Sequence, residues 1–75
     1  MAAQEVYLSK DEITLGQFLK FADIIDSGGH TKWFLEEHDI TVNGEVESRR
    51  GRKLHPGDLV HIEGVGTYKL EKEQG

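Results

Sequence analysis

The spacing of hydrophobic residues changes at residue 39, from a helical period to the alternation of a strand. Residues 29–37 are predicted to form a helix, because one stripe of side chains recurs at intervals of three and four. The members of that stripe are Thr31, Phe34, Leu35 and His38. Beyond residue 39, Ile40 and Val42 alternate with polar residues and lead into Asn43-Gly44, which favours the two positive-φ positions of a type I′ hairpin. A helix followed at once by a hairpin predicts a short chain that mixes helices with antiparallel strands.

The remaining elements follow from similar local signals. A first helix is predicted after Thr14, a favourable N-cap residue, with an apolar stripe at the helical spacing. That stripe is Leu15, Phe18, Leu19 and Ala22. Short strands are expected at 5–8, 59–62 and 67–70, with a turn at Pro56-Gly57. The prediction is a single α+β domain over 1–75, with two helices packed on a small antiparallel sheet and a frayed tail at 71–75.

Chain size and composition favour a binding module over an enzyme. A chain of 75 residues buries only about 60% of its unfolded surface, which leaves little room for a deep catalytic pocket. The lack of Cys fits a reducing cytosol, and no apolar run approaches the roughly 20 residues of a membrane span. The start of the chain does not resemble a signal peptide. We expect a cytoplasmic protein.

No cofactor is expected either. The four His residues have spacings that match no metal-binding pattern, and there is no Cys to complete a site. Those residues are His30, His38, His55 and His61. No Ser lies near a plausible base and orienting group in the sequence, so no catalytic residue is assigned.

Charge is distributed unevenly along the chain. The net charge is −5, which as a bulk number argues against nucleic acid. Four bases nevertheless fall within five positions, and the local field decides what a surface attracts. They are Arg49, Arg50, Arg52 and Lys53. Guanidinium groups bind phosphate oxygens in a bidentate manner and stack on unpaired bases. This segment is a candidate RNA contact, or else a solvated loop that balances Glu45 and Glu47.

A second candidate site is the predicted start of the second helix, at 27–32. Ser27 is a suitable N-cap, and Gly28 and Gly29 have no side chains to keep an anion away from the helix amides. Lys32 lies about one turn further on, and His30 offers another donor. The alternative is a plain capped helix whose glycines serve turn geometry.

Trp33 is the only Trp of the chain. Its helical position lies beside the apolar stripe rather than on it. Two interpretations stay open: the ring is exposed and stacks on a base, or it covers the edge of a small core.

Residues 26–44 and 56–58 together resemble the S4-like RNA-binding domain family. The family pattern has Ser at a helix start, then a small residue, a basic residue, aliphatics and Val-Asn-Gly, and later Pro-Gly-Asp. The matching residues here are Ser27, Thr31, Lys32, Leu35, Ile40, Val42, Asn43, Gly44, Pro56, Gly57 and Asp58. The resemblance covers about 13–63. Gly28 stands where the family often has Arg, and His38 stands where it often has Gly. His38 is therefore expected to adopt the helix-ending conformation.

The segment from Asn43 to Leu54 is further similar to the small stand-alone bacterial members of that family, of the YaaA type. The resemblance implies the S4-like fold with its alpha-L motif. It also implies a cytoplasmic, rRNA-binding role in maturation of the large ribosomal subunit.

Two functional hypotheses follow. In the first, the chain is a monomeric module that binds structured RNA, in particular ribosomal RNA, through one basic face on an otherwise acidic protein. No membrane takes part in this hypothesis. In the second, the chain is a protein–protein adaptor whose acidic segments, Asp11-Glu12 or Glu36-Glu37, dock on a basic ribosomal partner.

Overall fold

The computed structural model describes residues 3–26 and 28–73. Its strands are β1 (Gln4–Leu8), β2 (Ile13–Thr14), β3 (Ile40–Val42), β4 (Glu45–Val46), β5 (Lys53–Leu54), β6 (Leu59–Ile62) and β7 (Gly66–Lys72). Its helices are α1 (Leu15–Phe21) and α2 (Thr31–Glu37), and a 3-10 turn (Gly28–His30) leads into α2. The predicted α+β class with two helices is confirmed. No helix in this part of the chain is long and apolar enough to cross a bilayer.

The sheet is mixed rather than purely antiparallel, which corrects the prediction. Its five strands lie in the order β1-β7-β6-β3-β4, and β1 pairs with β7 in parallel, whereas β2 and β5 form a separate antiparallel pair. The last strand also runs further than expected, through Lys72, and the Glu73 amide donates to the Leu8 carbonyl at 2.7 Å. The prediction of fraying is therefore wrong for 71–73; residues 74 and 75 lie outside the described residues.

The core lies between the inner face of the sheet and the helices. The rings of Phe18 on α1 and Tyr68 on β7 meet edge to face, with centroids 5.7 Å apart. Tyr7 is 49% exposed, because the strand alternation turns Val6 and Leu8 inward. The buried apolar residues are Val6, Leu8, Leu15, Phe18, Leu19, Ile25, Ile40, Val42, Leu54, Val60, Ile62, Tyr68 and Leu70.

The start of α1 agrees with the prediction. The Gln17 amide donates to Thr14 Oγ1 at 3.2 Å, and the Thr14 amide donates to Gln17 Oε1 at 3.1 Å. This reciprocal pair is a capping box, which satisfies two backbone donors that the helix leaves unpaired.

The second helix begins two residues later than predicted and ends at the predicted residue, Glu37. Thr31 is its first residue, and the preceding His30 makes no side-chain cap hydrogen bond. The predicted Ser27 cap lies outside the described residues. At the other end, His38 is extended, with φ −122°, rather than in the expected helix-ending conformation. The His38 ring stacks on Phe34 at a centroid distance of 4.3 Å, and Nδ1 donates to the Glu63 carbonyl at 3.1 Å.

Hydrogen bonds join the two turn motifs of the sequence to one another. Asn43 and Gly44 have φ values of 54° and 87°, as the predicted type I′ turn requires. Asn43 Nδ2 donates to Asp58 Oδ1 at 3.0 Å, and the Leu59 amide donates to Asn43 Oδ1 at 2.9 Å. The hairpin tip is thereby fixed to the Pro56-Gly57-Asp58 turn.

Candidate nucleic-acid interface

The basic loop, residues 48–53, is organised around one carboxylate. The Glu47 side chain is only 7% exposed. It accepts hydrogen bonds from the backbone amides of Ser48 and Arg49 at 3.2 and 3.1 Å. It also accepts from Arg49 Nε at 3.1 Å and from Arg52 Nη1 at 2.9 Å. Two of the four clustered bases are therefore committed to an internal acid.

The hydrogen bonds from the side chain and backbone of Arg49, followed by that from Arg52, lower the pKa of Glu47 from 4.5 to about 2. Because folding lowers this pKa, Glu47 stabilises the fold fully above pH 4.5, and the contribution is lost as the pH falls toward 2. We expect the urea midpoint of the wild type to fall across this window more steeply than that of Glu47→Gln. Glu45→Gln, a change at an exposed neighbour, is the matched control and should follow the wild type. Parallel profiles for wild type and Glu47→Gln would contradict the assignment.

The backbone of the basic loop caps α1. The Leu15 amide donates to the Arg52 carbonyl at 2.7 Å, and the Gly16 amide donates to the Arg50 carbonyl at 2.9 Å. A Cβ on Gly16 would lie 3.4 Å from both Arg50 Cβ and Thr31 Cγ2. The loop and the start of α2 both lie against α1 at this position, so three separate segments form one continuous surface.

Ion pairs divide the nine Lys and Arg residues into two groups. Five lie within 4.0 Å of a carboxylate oxygen: Arg49 and Arg52 with Glu47, Lys53 with Glu12, Lys69 with Glu71, and Lys72 with Asp11. Within the described residues the other four have no such partner, and all four are exposed. They are Lys10, Lys20, Lys32 and Arg50, and we call this set the basic face.

The basic face is spatially continuous. Arg50 and Lys32 line one surface depression together with Leu35, Glu36 and Ser48. Arg50 also lines a second depression, where it is joined by Lys20. Lys20 in turn lines a groove that contains Lys10. The four unpaired bases thus follow one another across the surface formed by the β1–β2 connection, α1, α2 and the basic loop.

The structure brings together only part of the predicted site. Lys32 and Arg50 share a depression, whereas Arg49 and Arg52 bind Glu47, and Lys53 lies 3.5 Å from Glu12. Gly28, Gly29 and His30 form the 3-10 turn rather than the first turn of α2. Their amides therefore do not form the α-helix start that the phosphate hypothesis at 27–32 assumed. Ser27 lies outside the described residues.

Trp33 is 64% exposed and is not among the residues packed against the core. The interpretation that it covers the core edge is wrong. Its indole is accessible on α2, next in sequence to Lys32.

Two bases of this surface, Lys10 and Lys20, escaped the sequence prediction. Lys20 had a usable signal, since it lies four residues after Gly16 and hence on the same helix face. Lys10 is a single base beside Asp11 and Glu12. Its availability to a ligand depends on those two acids pairing with other bases. Glu47 was predicted as an acid that balances the loop, and it does pair with Arg49 and Arg52. Its burial was not predicted, because that depends on how the loop folds back.

The described part of the chain holds no group of three His, Cys, Asp or Glu side chains placed to bind a metal ion. The side chains on this surface are cationic groups that can bind phosphates and exposed rings that can stack on bases.

Comparison with known proteins agrees with this architecture. The family model of the S4 domain matches residues 6–71. A Bacillus subtilis (strain 168) protein, named as the probable ribosome maturation protein RlbA, is 54% identical over 68 residues. That alignment covers 91% of this chain and 96% of the Bacillus protein. The chain belongs to the S4 domain family.

Proposed function

We propose that this protein binds structured RNA, in particular ribosomal RNA, through its basic face, and that it assists maturation of the large ribosomal subunit. The observation that carries the proposal is the gathering of all four unpaired bases of the described chain on one surface, in a protein of net charge −5. Family membership and the name of the Bacillus relative support the ribosomal setting.

The mechanism is binding without catalysis, by a monomer acting in the cytoplasm. Arg50 offers a planar guanidinium for bidentate phosphate contact, and Lys32 adds a point charge to the same depression. Trp33 is exposed for stacking on an unpaired base. Such contacts recognise backbone shape more than sequence, and the acidic remainder of the protein limits non-specific binding.

The other predicted contacts lie at the border of this face. Arg49, Arg52 and Lys53 contribute less than Arg50, because Glu47 and Glu12 already hold them. Gly29 and His30 are exposed immediately before α2 and approach the same RNA backbone.

The adaptor hypothesis has less support. Two of its acids are already occupied: Asp11 accepts from Lys72 at 2.8 Å, and Glu12 lies 3.5 Å from Lys53 and 3.4 Å from His55. A partner using this acidic segment would have to displace internal ion pairs.

The direct test is a titration of the ¹⁵N-labelled protein with a structured ribosomal RNA fragment. We expect amide shifts around Lys20, Arg50 and the segment 29–33, and none on the outward positions of β6 and β7. A folded protein that shows no shifts at low salt would overturn the proposal and redirect the search to protein partners.

Salt dependence gives a quantitative check on the size of the face. If all four unpaired bases meet phosphates, raising the salt from 50 to 200 mM should weaken binding by roughly 50- to 150-fold through counterion release. Fluorescence anisotropy at a series of salt concentrations measures this slope. An affinity independent of salt would contradict a phosphate-binding face.

A further inference from the structure

One end of the basic face differs from the rest in being apolar. The groove that contains Lys10 and Lys20 lies between α1 and the connection from β1 to β2. Phe21, the last residue of α1, lines it and is 56% exposed, whereas Phe18 on the same helix is fully buried. The residues lining the groove are Leu8, Ser9, Lys10, Glu12, Ile13, Gln17, Lys20 and Phe21.

The charges around this groove favour an anionic occupant. Its one lining acid, Glu12, lies 3.5 Å from Lys53 and 3.4 Å from His55. The neighbouring Asp11 is held by Lys72 at 2.8 Å. The acids are therefore paired with bases outside the groove, whereas Lys10 and Lys20 are not paired within the described residues. The local balance is positive although the protein is acidic.

An exposed aromatic ring beside two cations matches the chemistry of a single nucleotide. A base stacks on an aromatic face with little regard to its identity, and lysines bind the flanking phosphates. A purely apolar peptide would leave both ammonium groups unused. An acidic peptide would leave the Phe21 ring without a planar partner.

We propose that this groove accepts one unpaired nucleotide of the bound RNA, with its base on Phe21 and its phosphates at Lys10 and Lys20. The inference rests on the proposed function, since Lys20 joins the groove to the remainder of the basic face. It specifies the substrate further: helical RNA interrupted by a bulge or ending in an overhang, rather than a fully paired helix.

The test compares two RNA hairpins of identical stem, one fully paired and one with a single bulged nucleotide. The wild type should bind the bulged hairpin roughly 5- to 150-fold more tightly, the range that one stacked base contributes. Phe21→Ala should lose this preference while retaining its affinity for the paired hairpin. Tyr7→Ala, which removes an exposed aromatic from the outward side of β1, is the matched control and should keep the preference. Intermolecular NOEs between the Phe21 ring and the bulged base supply a structural readout.

The outcomes separate the two proposals. Equal affinity of the wild type for both hairpins would overturn the nucleotide groove and leave the basic face standing. A preference that survives in Phe21→Ala would also overturn the groove. If the wild type bound neither hairpin, the proposed function itself would fail, and the groove with it.

Discussion

Reversing two charges, with Lys32→Glu and Arg50→Glu in one protein, should reduce the affinity for structured RNA by roughly 100-fold or more. Both side chains line the same depression and neither pairs with a described acid. A hydrogen bond to a charged group contributes about 1.5–3 kcal/mol, so losing two of them accounts for this factor before any repulsion is added. Anisotropy titration at low salt measures the change. The variant should still fold, because both side chains are exposed.

A control variant separates the effect of the basic face on affinity from the effect of the net charge. Lys69→Glu changes the net charge as much as Arg50→Glu does, but Lys69 lies on the outward side of β7, between the buried Tyr68 and Leu70. It should weaken binding only slightly. Equal losses in the two single variants would mean that bulk repulsion, not a basic face, controls the affinity.

Reversing the charges of Arg49 and Arg52 would be a less informative experiment. Both side chains hydrogen-bond to the buried Glu47. New carboxylates there would face an existing one and disturb the loop backbone, so lost binding and lost structure would be confused.

Phe18→Ala should remove most of the stability of the domain. The Phe18 side chain is fully buried and packs edge to face on Tyr68. Truncating a buried Phe to Ala costs about 3–5 kcal/mol, whereas the whole core of so small a domain supplies roughly the same amount. At about 4–8 °C per kcal/mol for a domain of this size, the melting temperature should fall by more than about 10 °C. Circular dichroism during thermal unfolding measures it.

Phe21→Ala is the control, since it makes the same change three residues along the same helix. Phe21 is exposed, so little packing is lost and the melting temperature should stay close to that of the wild type. A similar loss in both variants would show that α1 is stabilised by helix propensity rather than by burial of one face. Because Phe21→Ala is expected to stay folded, its effect on RNA binding can be measured without a loss of structure.

The elements predicted correctly are those whose signals are local. Thr14 with Gln17 three residues later specifies a capping box, and Asn43-Gly44 specifies a turn that needs two positive φ values. Each depends on neighbours in the chain, so a single sequence contains the information. The parallel pairing of β1 with β7 is not specified by neighbouring residues, because either orientation of β1 would bury the same alternating side chains.

The candidate site shows the same division. The run at 49–53 is the most basic segment of the sequence, yet only Arg50 within it is unpaired among the described residues. Lys53 is held by Glu12, which is distant in the chain. Which cations are available depends on where the acids lie in the folded chain, and a count of charges along the sequence does not contain that.

The position of β7 has a consequence for how the chain folds. This strand lies between β1 and β6, and it pairs Gln4 with Tyr68 at one end and Leu8 with Lys72 at the other. It is also the last of the described strands to be synthesised. A high share of contacts between distant parts of the chain slows folding, because the long loop must close before those contacts form. Among the described strands β7 is the only one that pairs with β1, so this edge of the sheet can form only once that long loop has closed. The hairpin of β3 and β4 joins residues that are close in the chain, and we expect it to form before β1 pairs with β7.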